Sequence, residues 1–519
     1  MSLLKLSIRS ALALAAAATV AQNASALDIS AYNSSTVNVY LSGSTAVDGT
    51  ILNTALATVA PGGLCAAGTT DVYYIGTITG YSNRMIFCSA SGTAGITSGT
   101  NLAIFKESST GSVNGVTPLY TAAQGQPSGV SFINPAAITD AACATVGTVS
   151  ATATLGAYTN HSNCPATSVT ANVIPSAGFA DVEAAILRTP ANGTVNTSAV
   201  ATYLTSKGTL DQVWTVLLTK NAFYALQAAE GFASPSDAPA NAPSLSKQDI
   251  AGLLSGNTFV WSQLGLAPAD NNVYICRRDN GSGTEASFEA YFLGARCSLS
   301  SLSLPPENGT TVFAAGSGGG VRACMQAFFS GGTIKEFYLG GSVTEPGNQY
   351  AIGINNAEIT AGNLSGANDS FRAIAVDGVG PTVANVQNGF YPYFSTGVAY
   401  TISKGTGVLS GNPLLVVNSL LGKLGHPAFT AASNAGYTGV KPWSPSLTMG
   451  DTSPAGLYAF SNPPAVPSTS ATAAANPTNA YTKNTSGVTD NCDTPIWDSN
   501  DLATTPVETK LLGSGVVNN

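Results

Sequence analysis

Apolar residues recur along the chain in short runs, several of which end in a turn of glycine and hydroxyl residues and then give way to an apolar pattern of helical period. Residues 37–41 alternate as a strand does and lead into Ser42-Gly43-Ser44-Thr45-Ala46-Val47-Asp48, after which Ile51, Leu52, Ala55, Leu56 and Val59 fall on one helical face. Residues 102–106 form another apolar run, which passes through Glu107 into Gly111-Ser112-Val113-Asn114-Gly115-Val116. A third run, 273–276, continues through Arg277 and Arg278 into Asp279-Asn280-Gly281-Ser282-Gly283-Thr284, and Ala286, Phe288, Tyr291 and Phe292 follow at near-helical spacing. Gly316-Ser317-Gly318-Gly319-Gly320-Val321 precedes a further helical stretch at 322–329.

Other strands are predicted at 72–78, 173–179, 213–218, 350–354, 371–376, 390–394 and 398–402, and helices at 226–229 and 414–424. Another helix opens at Ser246 and runs through Ile250, Leu253 and Leu254 to Gly256. Strands alternate with helices, and glycine turns stand at strand C-termini. That order predicts an α/β fold with a ligand crevice at those turns.

With 519 residues the chain is too long for one ordinary core, so two lobes are expected. The Pro/Ser-rich run 234–243 reads as a linker between them. It sets lobe I at 27–232, lobe II at 233–389, and a return of the chain to lobe I at 390–519. Residues 121–170 are rich in Ala, Thr, Ser, Gly and Pro, without clear periodicity, and are expected to be an inserted surface elaboration that buries little. The Pro/Ala/Ser/Thr/Asn-rich stretch 463–484 reads as a surface tail.

Charge and cysteine narrow the function classes. Charged residues make up 9% of the chain and the net charge is −8, so nothing favours a nucleic-acid partner. Residues 1–26 carry Lys5 and Arg9 ahead of an apolar run ending Ala24-Ser25-Ala26, the pattern of a secretory signal peptide cleaved after Ala26. The mature chain is expected to be periplasmic or secreted, not membrane-embedded. Eight cysteines suit an oxidising compartment and predict several disulfides; Cys65 with Cys88 and Cys143 with Cys164 are the simplest local pairs, though spacing does not decide connectivity. With His161 and His426 the only histidines, neither a His-rich metal site nor a Ser-His-Asp triad is easily built, and no metal or cofactor is expected.

The glycine turns carry the candidate chemistry. At a helix N-terminus the first backbone N–H groups lack intrahelical partners and the dipole is positive, which favours an anion. Ser44, Thr45, Ala46, Gly111, Ser112, Ser282, Gly283 and Thr284 supply amides and hydroxyls, and Arg278 a charged fork. Any one such turn is ordinarily a helix cap; three of one kind argue for an oxyanion. No residue set here activates a nucleophile, so a binding protein, not an enzyme, is expected. The alternatives are a secreted structural or surface protein and, less favoured, a secreted phosphatase.

Four stretches, in this order, resemble the soluble phosphate-binding proteins of bacterial ABC uptake systems. They are Gly43-Ser44-Thr45-Ala46, Gly111-Ser112-Val113-Asn114-Gly115-Val116, Ala180-Asp181-Val182-Glu183 and Arg278-Asp279-Asn280-Gly281-Ser282-Gly283-Thr284. The segment from Leu245 to Trp261 and the short strand Ala351-Ile352-Gly353 also resemble that family. The resemblance covers about half of the mature chain. It implies a two-lobed type II periplasmic binding protein fold with a hinge, plus disulfide-bearing insertions in the first lobe. It also implies a monomer with inorganic phosphate as ligand and an ABC transporter permease as partner. Asp181 would accept the proton of hydrogen phosphate and so disfavour sulfate. Two positions depart from the family pattern: Asn280 stands where an Asp is usual, changing how Arg278 is held, and Ala180 stands where a Ser is usual, removing a hydroxyl.

Overall fold

The computed structural model describes residues 27–443 apart from 79, 109–110, 189–194, 257–259, 295–303, 358, 360–363, 383–384, 387–389, 425–438 and 440, and beyond 443 only three two-residue strands. The signal-like segment 1–26, His426, Cys297, Cys492 and nearly all of the tail at 463–484 lie outside the described residues.

The first body contains β1 (Val37–Gly43), α1 (Asp48–Leu56), β2 (Thr70–Thr77), β3 (Gly80–Ser89), β4 (Asn101–Glu107), α2 (Thr117–Ala123), β5 (Phe132–Ile133), β6 (Ala144–Val149), β7 (Tyr158–Ser162), β8 (Val169–Thr170), β9 (Ala177–Ala180) and α3 (Thr197–Tyr203). The long β10 (Leu204–Thr219) leads out of it. The second body holds α4 (Lys220–Ala229), β11 (Ser244–Leu245), α5 (Lys247–Leu254), β12 (Tyr274–Arg278), α6 (Gly283–Phe292), β13 (Val312–Ala315), α7 (Gly318–Ser330), β14 (Gly332–Lys335), β15 (Ser342–Glu345), β16 (Ala351–Asn356), β17 (Phe371–Ala373) and β18 (Ala375–Val376). β19 (Phe394–Ile402) returns the chain to the first body, where α8 (Gly411–Leu424) closes it.

β1 lies between β4 and β9 and is parallel to both; β12 lies between β13 and β16, again parallel to both. β12 is buried on both faces, whereas β1 buries Val37, Val39 and Leu41 on one face and leaves Asn38 and Tyr40 on the other half-buried. Each also delivers its C-terminal turn to the same end of its sheet, where a ligand crevice forms in open α/β sheets. The α/β class, the two-lobed arrangement and the disulfide-bearing additions to the first lobe are present.

The bodies are joined by the antiparallel pair β10 and β19. The first half of β10, from Leu204 to Gly208, pairs with Ile402 to Val398 beside β9, whereas Trp214 to Leu218 pair with β16. The register shifts between Gly208 and Asp211, midway along the strand. Bulges bend and twist a strand locally, so this is where the sheet changes direction between the bodies.

Three expectations change. The linker at 234–243 does not separate the bodies, because Trp214, Phe223 and Leu226 before it share one core with Leu253, Ile275 and Phe288 after it. The chain crosses earlier, within β10, and crosses back within β19, whose first residue Phe394 still belongs to the second core while Val398 and Tyr400 belong to the first. The strand expected at 173–179 is only β9, beginning at Ala177. The segment 121–170 is also more than surface: β7 pairs with β2, and Phe132, Ile133, Ile138, Cys143 and Cys164 pack with Tyr73, Phe87 and Phe105. The apolar residues of the outer sheet face supply the partner that its own sparse periodicity did not reveal.

The pairs Cys65–Cys88 and Cys143–Cys164 are both formed, and Cys276–Cys324 is a third that ties β12 to α7. The α5 N-terminus carries the reciprocal bonds of a capping box between Ser246 and Asp249. Among the described residues no helix is long and apolar enough to cross a membrane.

Candidate functional site

The turns after β1, β4, β9 and β12 meet where the two bodies face each other. The first is shaped by backbone crowding. Gly43 has φ +95°, and a Cβ there would strike the carbonyl of Phe179 and approach the Gly115 Cα to 2.5 Å. Only glycine permits this close packing of three turns. The chain then leaves at Ser44, whose N–H donates to the Phe179 carbonyl at 2.8 Å. Ser44 and Thr45 are not the cap of α1, which starts at Asp48 with Val47 in the cap position. Instead the Ser44 hydroxyl receives the Ala46 N–H at 3.1 Å and donates to the carboxylate of Asp181. Thr45 and Ala46 lie half-buried on the same turn.

Asp181 follows β9 directly. Its N–H donates to the Ser112 hydroxyl at 2.8 Å, so Ser112, Ser44 and Asp181 form one connected group. Gly111 and Ser112 open the turn that faces the second body, and the Val113 N–H donates across to the Gly281 carbonyl at 3.1 Å. On the far side Ser282 caps α6, its hydroxyl accepting the Glu285 N–H at 3.4 Å. Gly283 is the first residue of that helix and lies against Ser112 and Asp181. Ser44, Ser112, Asp181, Arg278, Ser282, Gly283 and Thr284 are all buried.

Arg278 ends β12. Its Nε donates to the Ala315 carbonyl at 3.1 Å, its Nη2 to the Gly316 carbonyl at 3.1 Å, and its Nη1 reaches Thr284 Oγ1 at 3.4 Å. Asp279 pairs with Nη2 at 3.4 Å. The glycine turn at Gly316 thus holds the guanidinium with its carbonyls and does not add a further anion turn, although Ser317 does cap α7 through the Gly320 N–H. Asn280 accepts from Arg277 Nη2 at 3.0 Å.

Two buried charges were not singled out from the sequence. Lys106, at the end of β4, donates to the Gly43 carbonyl at 2.9 Å and to Ser108 at 3.2 Å, and is paired with Asp48 at 3.1 Å. A lysine closing an otherwise apolar strand, immediately before a glycine turn, was the available signal. Arg277 is paired with Glu285 of α6, both buried, which locks β12 to the helix that follows it.

The electrostatics are those of an acid among donors. Burial pushes the Asp181 carboxyl up, while the Ser44 hydroxyl, Arg278, the Ser112 hydroxyl and Lys106 favour its ionised form. A buried carboxyl that holds or receives a proton this readily can share one with an oxyanion. The arrangement offers hydroxyls, turn amides and one guanidinium on one side of the balance, and the carboxyls of Asp181 and Asp279 on the other. Among the described residues, the grouping with metal-ligand character lies elsewhere, at Asp71, Asp140 and His161.

No protein-family model matches the chain, and no curated protein does. Solved structures do. A Clostridium perfringens protein classed as a phosphate ABC transporter substrate-binding protein, with bound phosphate, is 14% identical; the match covers 78% of this chain and 99% of that one, with a TM-score of 0.39. An ABC-type phosphate transport receptor from Vibrio cholerae is also 14% identical, over 48% of this chain and 74% of that one, at 0.29. A phosphate-binding protein from Stenotrophomonas maltophilia is 13% identical, over 53% and 79%, at 0.30. Likeness at this level concerns the overall fold only.

Proposed function

We propose that this chain is an extracytoplasmic binding protein that captures inorganic phosphate, or a closely related oxyanion, between its two bodies and delivers it to an ABC transporter permease. The observation that carries this reading is the convergence of Arg278, Ser282 and Thr284 from one body with Ser44, Ser112 and Asp181 from the other. A dehydrated dianion needs many donors in place of water, with at least one of them charged. Hydroxyls, helix-end amides and a fixed guanidinium meet that need. Asp181 adds selection, since an ionised carboxylate tolerates an anion that carries a proton and repels one that does not.

The protein acts as a receptor and not as a catalyst. Ser44 and Ser112 are engaged with Asp181 and Ser282 accepts from the Glu285 N–H, and none of the described groups at the site pairs a hydroxyl with a histidine. Delivery outside the cytoplasm accords with the signal-like segment 1–26 and with the three disulfides. Thermal denaturation of the purified mature chain in phosphate, arsenate and sulfate tests the reading. Phosphate and arsenate should raise the melting temperature at concentrations where sulfate does not. Equal response to all three, or to none, would contradict it.

A further inference from the structure

A second polar cluster lies away from the facing turns, on the sheet extension built from β2, β6 and β7. His161 of β7 is aligned with Tyr73 of β2 in the parallel pairing, and their rings stack at 4.6 Å. The imidazole is 5% exposed as a residue, and neither ring nitrogen has a hydrogen-bond partner. Its Nε2 sits 3.4 Å from Asp71 Oδ1, close enough for an ion pair but not aligned as a hydrogen bond, and that carboxylate oxygen is also unpartnered. Asp140 completes the group: one ligand atom from each of Asp71, Asp140 and His161 lies within 4.8 Å of the others.

The surroundings hold these groups in place. The Tyr73 hydroxyl donates to Asp140 Oδ1 at 2.7 Å, orienting that carboxylate. The disulfide Cys143–Cys164 lies three residues beyond Asp140 and three beyond His161, and so staples together the two segments that carry them. Asp140 is half-exposed and lines a surface pocket with Asp28, Ser30 and Thr139. That opening gives a path for entry and room for a water.

We propose that His161, Asp71 and Asp140 form a zinc-binding site independent of the anion site. One imidazole and two carboxylates are a donor set suited to zinc, and the two negative charges balance the cation. Zinc bonds of roughly 2.0–2.2 Å bring tetrahedral donors to roughly 3–3.5 Å of one another, a contraction that rotation of the half-exposed Asp140 side chain can supply. Water from the pocket takes the fourth position. A His161–Asp71 ion pair alone leaves the other ring nitrogen unsatisfied.

The test uses the mature, disulfide-intact chain stripped with a chelator, and zinc chloride as the probe in calorimetry. One equivalent should bind with micromolar or tighter affinity, with a rise in melting temperature. Asp140→Asn should weaken binding by about 10- to 100-fold, in line with loss of a ligand or its orienting partner, while leaving the response to phosphate unchanged. His161→Gln should abolish zinc binding. No zinc binding by the wild-type chain overturns the proposal, as does zinc binding that Asp140→Asn leaves unchanged. Asp140 is half-exposed, so its variant decides the matter even if His161→Gln fails to fold.

Discussion

The amide of Val113 donates to the carbonyl of Gly281 at 3.1 Å, and through this bond the glycine turn of one body closes on the glycine turn of the other. The approach depends on missing side chains. A Cβ on Gly111 would fall 2.6 Å from the Gly281 carbonyl oxygen, and one on Gly283 would strike Ser112 Oγ and lie 2.7 Å from the Asp181 Cβ. The two bodies are therefore in direct contact at these turns, and a single methyl group at either position obstructs that contact.

We predict that Gly111→Ala and Gly283→Ala each weaken phosphate binding by about 5- to 100-fold, the range set by overpacking costs of about 1–3 kcal/mol. Small-angle scattering should show no compaction of either variant on adding phosphate. Compaction and affinity equal to the parent would mean that closure does not use this contact.

Arg278 is the charged donor of the proposed site, and its guanidinium is fastened by the Ala315 and Gly316 carbonyls. Removing a charged hydrogen bond at a desolvated site costs roughly 2–5 kcal/mol. Arg278→Ala should accordingly weaken phosphate binding by tens-fold at least. Arg278→Lys keeps the charge but loses the fork, and should fall between the two. An unchanged dissociation constant for Arg278→Ala removes the residue from the site.

In the proposed function Asp181 sets the choice between anions. Asp181→Asn replaces a group that repels a fully deprotonated oxyanion with one that can donate to it. The preference for phosphate over sulfate, measured as a ratio of dissociation constants, should narrow. A ratio equal to the parent's would leave Asp181 a structural partner of Ser44 and Ser112.

Stability should fall as pH rises through the neutral range. Burial pushes Glu285 up to about 8, against the attraction of Arg277 and with the help of Glu289. Above the ordinary carboxylate range the unfolded chain has released this proton while the native chain still holds it. The native state then binds more protons, and unfolding becomes easier with each step in pH until about 8. Glu285→Gln should flatten this slope in denaturant titrations between pH 5 and pH 8, even though it weakens the contact with Arg277. A slope equal to the parent's would mean that Glu285 is ionised in the fold.

Much of this was legible from the sequence. Strand, glycine turn and helix at Gly43, Gly111 and Gly281 are local patterns, and local patterns survive folding; the three turns do meet. The Cys65–Cys88 and Cys143–Cys164 bridges were legible for the same reason, since short loops bring their ends together cheaply. Long-range relations were not. β10 links the two bodies because Leu204 pairs with Ile402 and Trp214 with Asn356, and no feature within residues 204–219 says which partner each half takes. Reading proline and serine at 234–243 as a boundary failed because Gln227 takes up that loop, donating from Nε2 to the Ser236 and Asn241 carbonyls. His161, met in the sequence as one of two scattered histidines, acquires neighbours only when β7 pairs with β2.

Isothermal titration of phosphate into the mature chain, wild type beside Arg278→Ala, tests whether one oxyanion is held between the two bodies by groups from both. We predict saturable binding of one phosphate per chain, with a dissociation constant on the order of micromolar or tighter for the wild type and a large loss in the variant. No binding heat and no thermal shift with millimolar phosphate, on wild-type protein that melts cooperatively, would contradict the account.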